Sequence, residues 1–199
     1  MAITAQRFAQ GLTYDAYKAQ MTRNQERFEK NEQRVVLSAA DLSALRRLPS
    51  PLRVLVLAED WCGDVIDNLP ILGRLAAESG TLDLRVFLRD QNLDLIDQYL
   101  KEGKYRSIPV FVFFDDRFAE LGRFIERPES VTARRAQYRK DLYARHPEFG
   151  SPDSPVDQLP EEVRVRLQQE TAQKREEWKP LEEQDTIQAL RSIVERAAA

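Results

Sequence analysis

The chain has 199 residues, enough for one domain of ordinary size or one compact core with helical additions, and too few for several large domains. Charged residues make up 32% of it, yet the net charge is only −3, so the balance of charge by itself points neither to a nucleic-acid face nor to an acidic tail. No segment approaches the roughly 20 apolar residues that span a bilayer, the opening "MAITAQRFAQGLTYDAYKAQ" lacks the apolar run of a secretion signal, and a single cysteine excludes an intramolecular disulfide, so a reducing cytoplasm is the expected location.

The first third reads as helix: Tyr14, Tyr17, Met21 and Phe28 recur on one face of a 3.6-residue repeat, the pattern of a packing stripe. A short helix is expected from Ser38, with Asp41 completing a capping box and Leu42, Leu45 and Leu48 inward, stopped by Pro49 and Pro51. The period then changes. "LRVLVLA" from Leu52, "LDLRVFL" and "IPVFVFF" are short apolar runs of the kind that form strands covered on both faces. Between the first two, Val65, Leu69, Leu72 and Ala76 fall on one helical face and Ser79-Gly80 makes the exit, giving a strand, helix, strand unit with parallel strands.

"LDLIDQYLKEG" reads as a helix ending at Gly103, and the turn at Asp115-Asp116 joins two further strands as an antiparallel pair. Beyond Pro128, Val131, Tyr138 and Leu142 share a helical face, "HPEFGSPDSPVDQLP" breaks the pattern, and two last helices are expected. One runs near Glu161 to Trp178, and the other starts at an Asp185 cap with Ile187, Leu190 and Val194 inward.

Chemistry concentrates on "AEDWCGDVIDNLP". Cys62 stands just ahead of a helix start, where unpaired backbone N–H groups and the positive end of the helix dipole favour a thiolate. Trp61 offers a flat surface beside the sulfur, and Gly63 lets a partner backbone come close. Glu59, Asp60 and Asp64 oppose the dipole if ionised, and Arg89 is the cation that the fold can bring near. One helical turn on stands Val65, so the dithiol cycle is excluded and a mixed disulfide on Cys62 needs an outside thiol for release. In "RSIPV" the Ile108-Pro109 pair opens a buried strand, a plausible place for a cis bond that would turn the Ser107 and Ile108 backbone toward an extended peptide.

Together, "LRVLVLAEDWCGD", Pro70 inside the following helix, "RDQN" and "RSIPVFVFF" resemble the thioredoxin superfamily, and most of all its bacterial members with W-C-G-D in place of W-C-G-P. The resemblance implies an α/β, thioredoxin-like fold: a central mixed sheet flanked by helices, with N- and C-terminal helical extensions. It divides the chain into an N-terminal extension over 1–51, a core over 52–128 and a C-terminal extension over 129–199. It further implies Cys62 as the attacking cysteine, bordered by Trp61, and Pro109 as the cis-proline facing it. Val65 and Val56 depart from the pattern, standing where a resolving cysteine and a buried aspartate are usual.

The expected activity is monothiol thiol-disulfide exchange through Cys62, with Trp61, Gly63, Ile108 and Pro109 meeting the substrate. The alternative is a redox-silent module that binds a protein or peptide. A protein or low-molecular-weight thiol is the expected partner, with pairing of two copies through the helical flanks left open. No cofactor, metal, membrane or nucleic acid is expected: His146 is the only histidine, and Arg134, Arg135, Arg139, Lys140 and Arg145 read as the solvated face of a helix.

Overall fold

The apolar runs become the centre of a sheet. A computed structural model, describing residues 3–152 and 155–197, places β1 at Leu52–Ala58, β2 at Leu82–Leu88, β3 at Val110–Phe114 and β4 at Glu120–Ile125. The strand order is β2-β1-β3-β4. β1 runs parallel to β2, from Leu52 opposite Leu82 to Ala58 opposite Leu88, and antiparallel to β3, which pairs antiparallel with β4. β1 and β3 lie inside the sheet and are covered on both faces, which is why they read as unbroken apolar runs; β4, at the edge, is mostly open. This mixed sheet with flanking helices is the α/β, thioredoxin-like architecture expected above.

Helix α5 (Gly63–Ser79) buries Val65, Leu69 and Leu72 against the sheet and ends at Gly80, whose φ of 69° is the left-handed turn that glycine takes without strain. Pro70 lies inside it. A proline there has no N–H to give the carbonyl four residues back, and a buried orphan carbonyl is costly. The Asn31 side chain, itself buried, closes the gap: its amide donates to the Ile66 carbonyl at 2.8 Å.

The N-terminal stripe packs on the core, with Tyr17, Met21 and Phe28 buried and Tyr14 partly so, but it does not lie on one helix. It splits into α2 (Tyr14–Gln20) and α3 (Gln25–Arg34), preceded by the one-turn helix α1 (Ala5–Phe8). The cause is tertiary. Asp60 accepts the Thr22 N–H at 2.7 Å, the Arg23 N–H at 3.0 Å and the Thr22 hydroxyl at 3.1 Å, taking amides that a continuous helix needs, and Asn24 turns with a φ of 56°. Helix α4 (Ala39–Arg46) begins at the capping box of Ser38 and Asp41 and buries Leu42 and Leu45.

Helix α6 is a single turn, Leu93–Ile96, shorter than the pattern to Gly103 suggests. Glu102 and Gly103 both take positive φ and close a tight turn in which Lys101 and Tyr105 exchange backbone hydrogen bonds at 2.9 and 3.0 Å, a loop geometry that helix cannot continue into.

The chain divides into two compact units, one running to Pro128 and resumed from Thr186, the other Glu129–Asp185. In the second, α7 (Glu129–Arg145) and the first part of α8 (Glu161–Ala197) bury Leu142, Tyr143, Phe149 and Leu167 together. Asp153 and Ser154, in the proline-rich break, lie outside the described residues. The two expected C-terminal helices are one. Asp185 caps nothing; its carboxylate accepts from Arg134 at 2.8 Å, so the sequence signal for a helix start is an ion pair within a continuing helix. From Thr186 on, Ile187, Leu190, Ile193 and Val194 join the core of the first unit, and the Thr186 hydroxyl donates to the buried Asn68 at 2.8 Å.

Candidate functional site around Cys62

A strand that stops and a helix that starts place the sulfur. After β1 ends at Ala58, the Cys62 N–H donates to the Glu59 carbonyl at 3.2 Å and closes a tight turn, and the Cys62 carbonyl accepts the Ile66 N–H at 3.1 Å as the N-cap of α5. The side chain stays out of the cap bonding, and the thiol donates to the Ile108 carbonyl at 3.5 Å. Residues 62 and 108 meet because β1 and β3 are neighbours in the sheet and Val110 opens β3. The Ile108-Pro109 peptide bond is cis.

Burial dominates the electrostatics of the thiol and pushes its pKa up. The Val65 and Asp64 backbone N–H groups pull it down, the Asp64 carboxylate pushes it up, and the Arg89 guanidinium pulls it down. The three carboxylates that the local sequence sets against the thiolate each have a partner. Glu59 accepts the Asp90 N–H at 2.8 Å, Asp60 holds the Thr22–Arg23 segment, and Asp64 pairs with Arg127 at 2.8 Å. Glu59 is itself pushed up by burial, against the pull of the Asp90 N–H. Arg89 lies over the Trp61 ring at 4.8 Å and donates to the Arg106 carbonyl at 3.2 Å, which fixes the indole beside the sulfur.

Trp61, Cys62 and Ile108 line an open groove of about 710 Å³, whose walls also include Arg89, Tyr105 and Glu126. Trp61 and Tyr105 are 42% and 57% exposed, so both give the groove accessible aromatic surface. Pro109 is buried behind Ile108, and neither it nor Gly63 lines the groove. A Cβ at Gly63 would meet nothing within 4 Å, so no packing inside the chain requires glycine there. Val65 and Val56 are both fully buried and apolar.

A family model described as thioredoxin matches residues 11–139, more than half of the chain. The chain belongs to the thioredoxin family. The fold has counterparts among solved structures: a protein of unknown function from Pseudomonas aeruginosa is 22% identical with a TM-score of 0.68, covering 99% of each chain. An HIV epitope-scaffold is 21% identical with a TM-score of 0.66, covering 98% of each. These likenesses are of fold. Among curated proteins none matches.

In this thioredoxin-family chain the sequence did not disclose Arg127, which follows β4 and reaches Asp64, nor Lys101 and Arg127 on either side of Glu126. No local signal marks them, since the pairing of β3 with β4 sets their place. Tyr105 was findable, two residues before the Ser107-Ile108-Pro109 run. The second unit spends its notable polar residues on itself: Arg135 pairs with Glu182 at 2.5 Å, and His146 lies against Glu148 at 3.2 Å and stacks on Phe149. Among the described residues no group of His, Cys, Asp or Glu could hold a metal ion, and no helix is long and apolar enough to cross a membrane.

Proposed function

We propose that this thioredoxin-family protein carries out monothiol thiol-disulfide exchange through Cys62. The observation that supports it is the placing of one thiol at the N-terminus of α5, aimed at the Ile108 carbonyl, on the wall of an open groove with aromatic faces. The thiol gives its proton to water, and the thiolate attacks one sulfur of a partner disulfide. A bond forms between Cys62 Sγ and that sulfur as the partner S–S bond breaks, and the second sulfur leaves as a thiolate that takes up a proton. Buried Val65 supplies no thiol to resolve the adduct, so an external thiol, from a protein or a low-molecular-weight compound, attacks it and restores Cys62. Trp61 and Ile108, which line the groove, are assigned to the partner-facing side, with Gly63 and Pro109 next to them in the chain but off the groove wall, and a reducing compartment supplies the second thiol.

The test is mass spectrometry after incubation with oxidised glutathione at a pH where the thiol ionises. One glutathione on Cys62, removed by excess reduced thiol and lost in Cys62→Ser, is the expected result. A second reading has one observation in its favour, that burial pushes the thiol pKa up and so favours its neutral form. It makes the groove a redox-silent binding surface for a protein or peptide. An unmodified Cys62 across the alkaline range would leave that reading standing and remove the first.

A further inference from the structure

We propose that the groove beside Cys62 selects disulfide partners that carry a carboxylate next to the reacting sulfur, received by the Lys104 ammonium and the Arg89 guanidinium. The inference rests on the exchange reading above and names the class of partner. Among the described residues the charges lining the groove balance, with Asp64, Asp97 and Glu126 against Arg89, Lys104 and Arg106, so selection comes from which of them are already used. The acids are. Asp64 is paired with Arg127 at 2.8 Å and Glu126 with both Lys101 and Arg127, and the two carboxylates are only 17% exposed. Asp97 is matched oxygen for nitrogen by Arg106, from Nε at 2.7 Å and from Nη2 at 2.9 Å, a bidentate pair that commits both groups.

The two remaining cations are placed differently. Lys104 stands in the tight turn between Lys101 and Tyr105, is exposed, and among the described residues its ammonium has neither an ion pair nor a hydrogen bond. Arg89 turns two N–H groups, Nε at 2.9 Å and Nη2 at 2.7 Å, onto one oxygen of Asp90, its own neighbour, whose side chain is 53% exposed. A surface pair of that kind is worth little, and a partner carboxylate offers the planar fork two oxygens where Asp90 offers one. The fork is also held in place, over the Trp61 ring and with Nη1 donating to the Arg106 carbonyl. The groove therefore presents accessible positive charge, while its negative charge is spent inside the chain, and that asymmetry favours an anionic group on the partner. The sulfur chemistry is the exchange written above; charge decides which disulfide docks before the thiolate attacks. Such a carboxylate has two sources, a low-molecular-weight disulfide or an acidic peptide segment around a cysteine.

The first test needs no exchange. Cys62 is alkylated with anionic iodoacetate and with neutral iodoacetamide, which share a leaving group, and the ratio of the two rates cancels the thiolate fraction. Against the same ratio for N-acetylcysteine amide, a thiol with no charged neighbour, the parent should be raised about fivefold at low salt and fall toward the reference in about 0.5 M salt. Lys104→Met should lower the ratio about threefold. Asp90→Asn keeps the backbone N–H that Glu59 accepts and frees the Arg89 fork, so it should raise the ratio by a similar factor. A parent ratio at or below the reference, or ratios unmoved in both variants, would overturn the inference. Disulfides then tell the sources apart, each rate read as parent over Lys104→Met to cancel intrinsic reactivity. Dithiodipropionate against cystamine reads the low-molecular-weight source, and oxidised dimers of a single-cysteine peptide flanked by Glu or by Lys read the peptide source. A larger quotient for the acidic member of either pair supports the inference and names the source, and equal quotients in both pairs overturn it. Reaction with no disulfide at all removes the exchange reading, whereas the alkylation ratio alone decides whether the groove selects anions.

Discussion

The bond between Asn31 and the Ile66 carbonyl makes a quantitative test of how this chain tolerates Pro70. Asn31→Leu removes the donor while filling about the same space, so the cavity and overpacking costs are small. What is left is a buried carbonyl with no partner, since the Pro70 nitrogen cannot serve it; such a group costs about 1–3 kcal/mol. The Asn31 contact to Asp67 at 3.4 Å is long and adds little. With a urea m-value of about 2 kcal/mol/M, a 2 kcal/mol loss lowers the unfolding midpoint by about 1 M. Trp61 belongs to the first unit and Trp178 to the second, so Trp61 fluorescence in a Trp178→Phe background follows the unit that contains Asn31. Pro70→Ala restores a backbone N–H at the position that reaches Ile66, and in that background Asn31→Leu should cost under about 1 kcal/mol. Equal penalties with and without Pro70 would refute the reasoning, as would an Asn31→Leu midpoint equal to that of the parent.

Arg127→Met removes the guanidinium that pairs with the Asp64 carboxylate, so the Cys62 alkylation midpoint should rise by a few tenths of a pH unit to about one unit above the parent, itself above the ordinary thiol value of about 8.5. Burial raises the folded pKa of Glu59 above its unfolded value, so folding favours its protonated form; that contribution is complete below the ordinary carboxylate range and is lost as pH rises through the folded pKa. Glu59→Gln keeps an acceptor for the Asp90 N–H but cannot ionise, so thermal midpoints measured from pH 4 to 7 should fall less with rising pH than in the parent. Gly73→Ala places a methyl about 2.3 Å from the Tyr14 ring, so a change that favours an isolated helix should here destabilise by about 1–3 kcal/mol in urea unfolding, with part of the loss recovered in Tyr14→Leu.

Much of the fold was legible before any coordinates because its signals are local. Apolar runs without alternation mark β1 and β3, since strands covered on both faces have no polar side to show, whereas β2, at the sheet edge, carries Asp83 and Arg85 in alternation and is only partly buried. The Ser38 and Asp41 capping box and the Gly80 exit are single-turn geometries written in neighbouring residues. The address of Cys62 at a helix start is equally local, and Val65 excludes an internal dithiol from sequence alone.

What local signals misjudge is where a polar side chain spends its hydrogen bonds. Asp185 has the residue type of an N-cap, yet its carboxylate goes to Arg134, and the helix runs on to Ala197. The amides of Thr22 and Arg23 belong by sequence to a continuing helix, but Asp60, 38 and 37 residues away, accepts them and breaks it. The same holds at the site. Read along the chain, Cys62 is ringed by three carboxylates; in space Asp64 meets Arg127, Glu59 meets the Asp90 amide, and burial becomes the largest influence on the thiol. The sequence by itself determined that one thiol stands at a helix N-terminus without a resolving partner. Only the tertiary structure decided what surrounds it, because hydrogen bonds and charges act across space, and strand pairing brings together residues that no local pattern links.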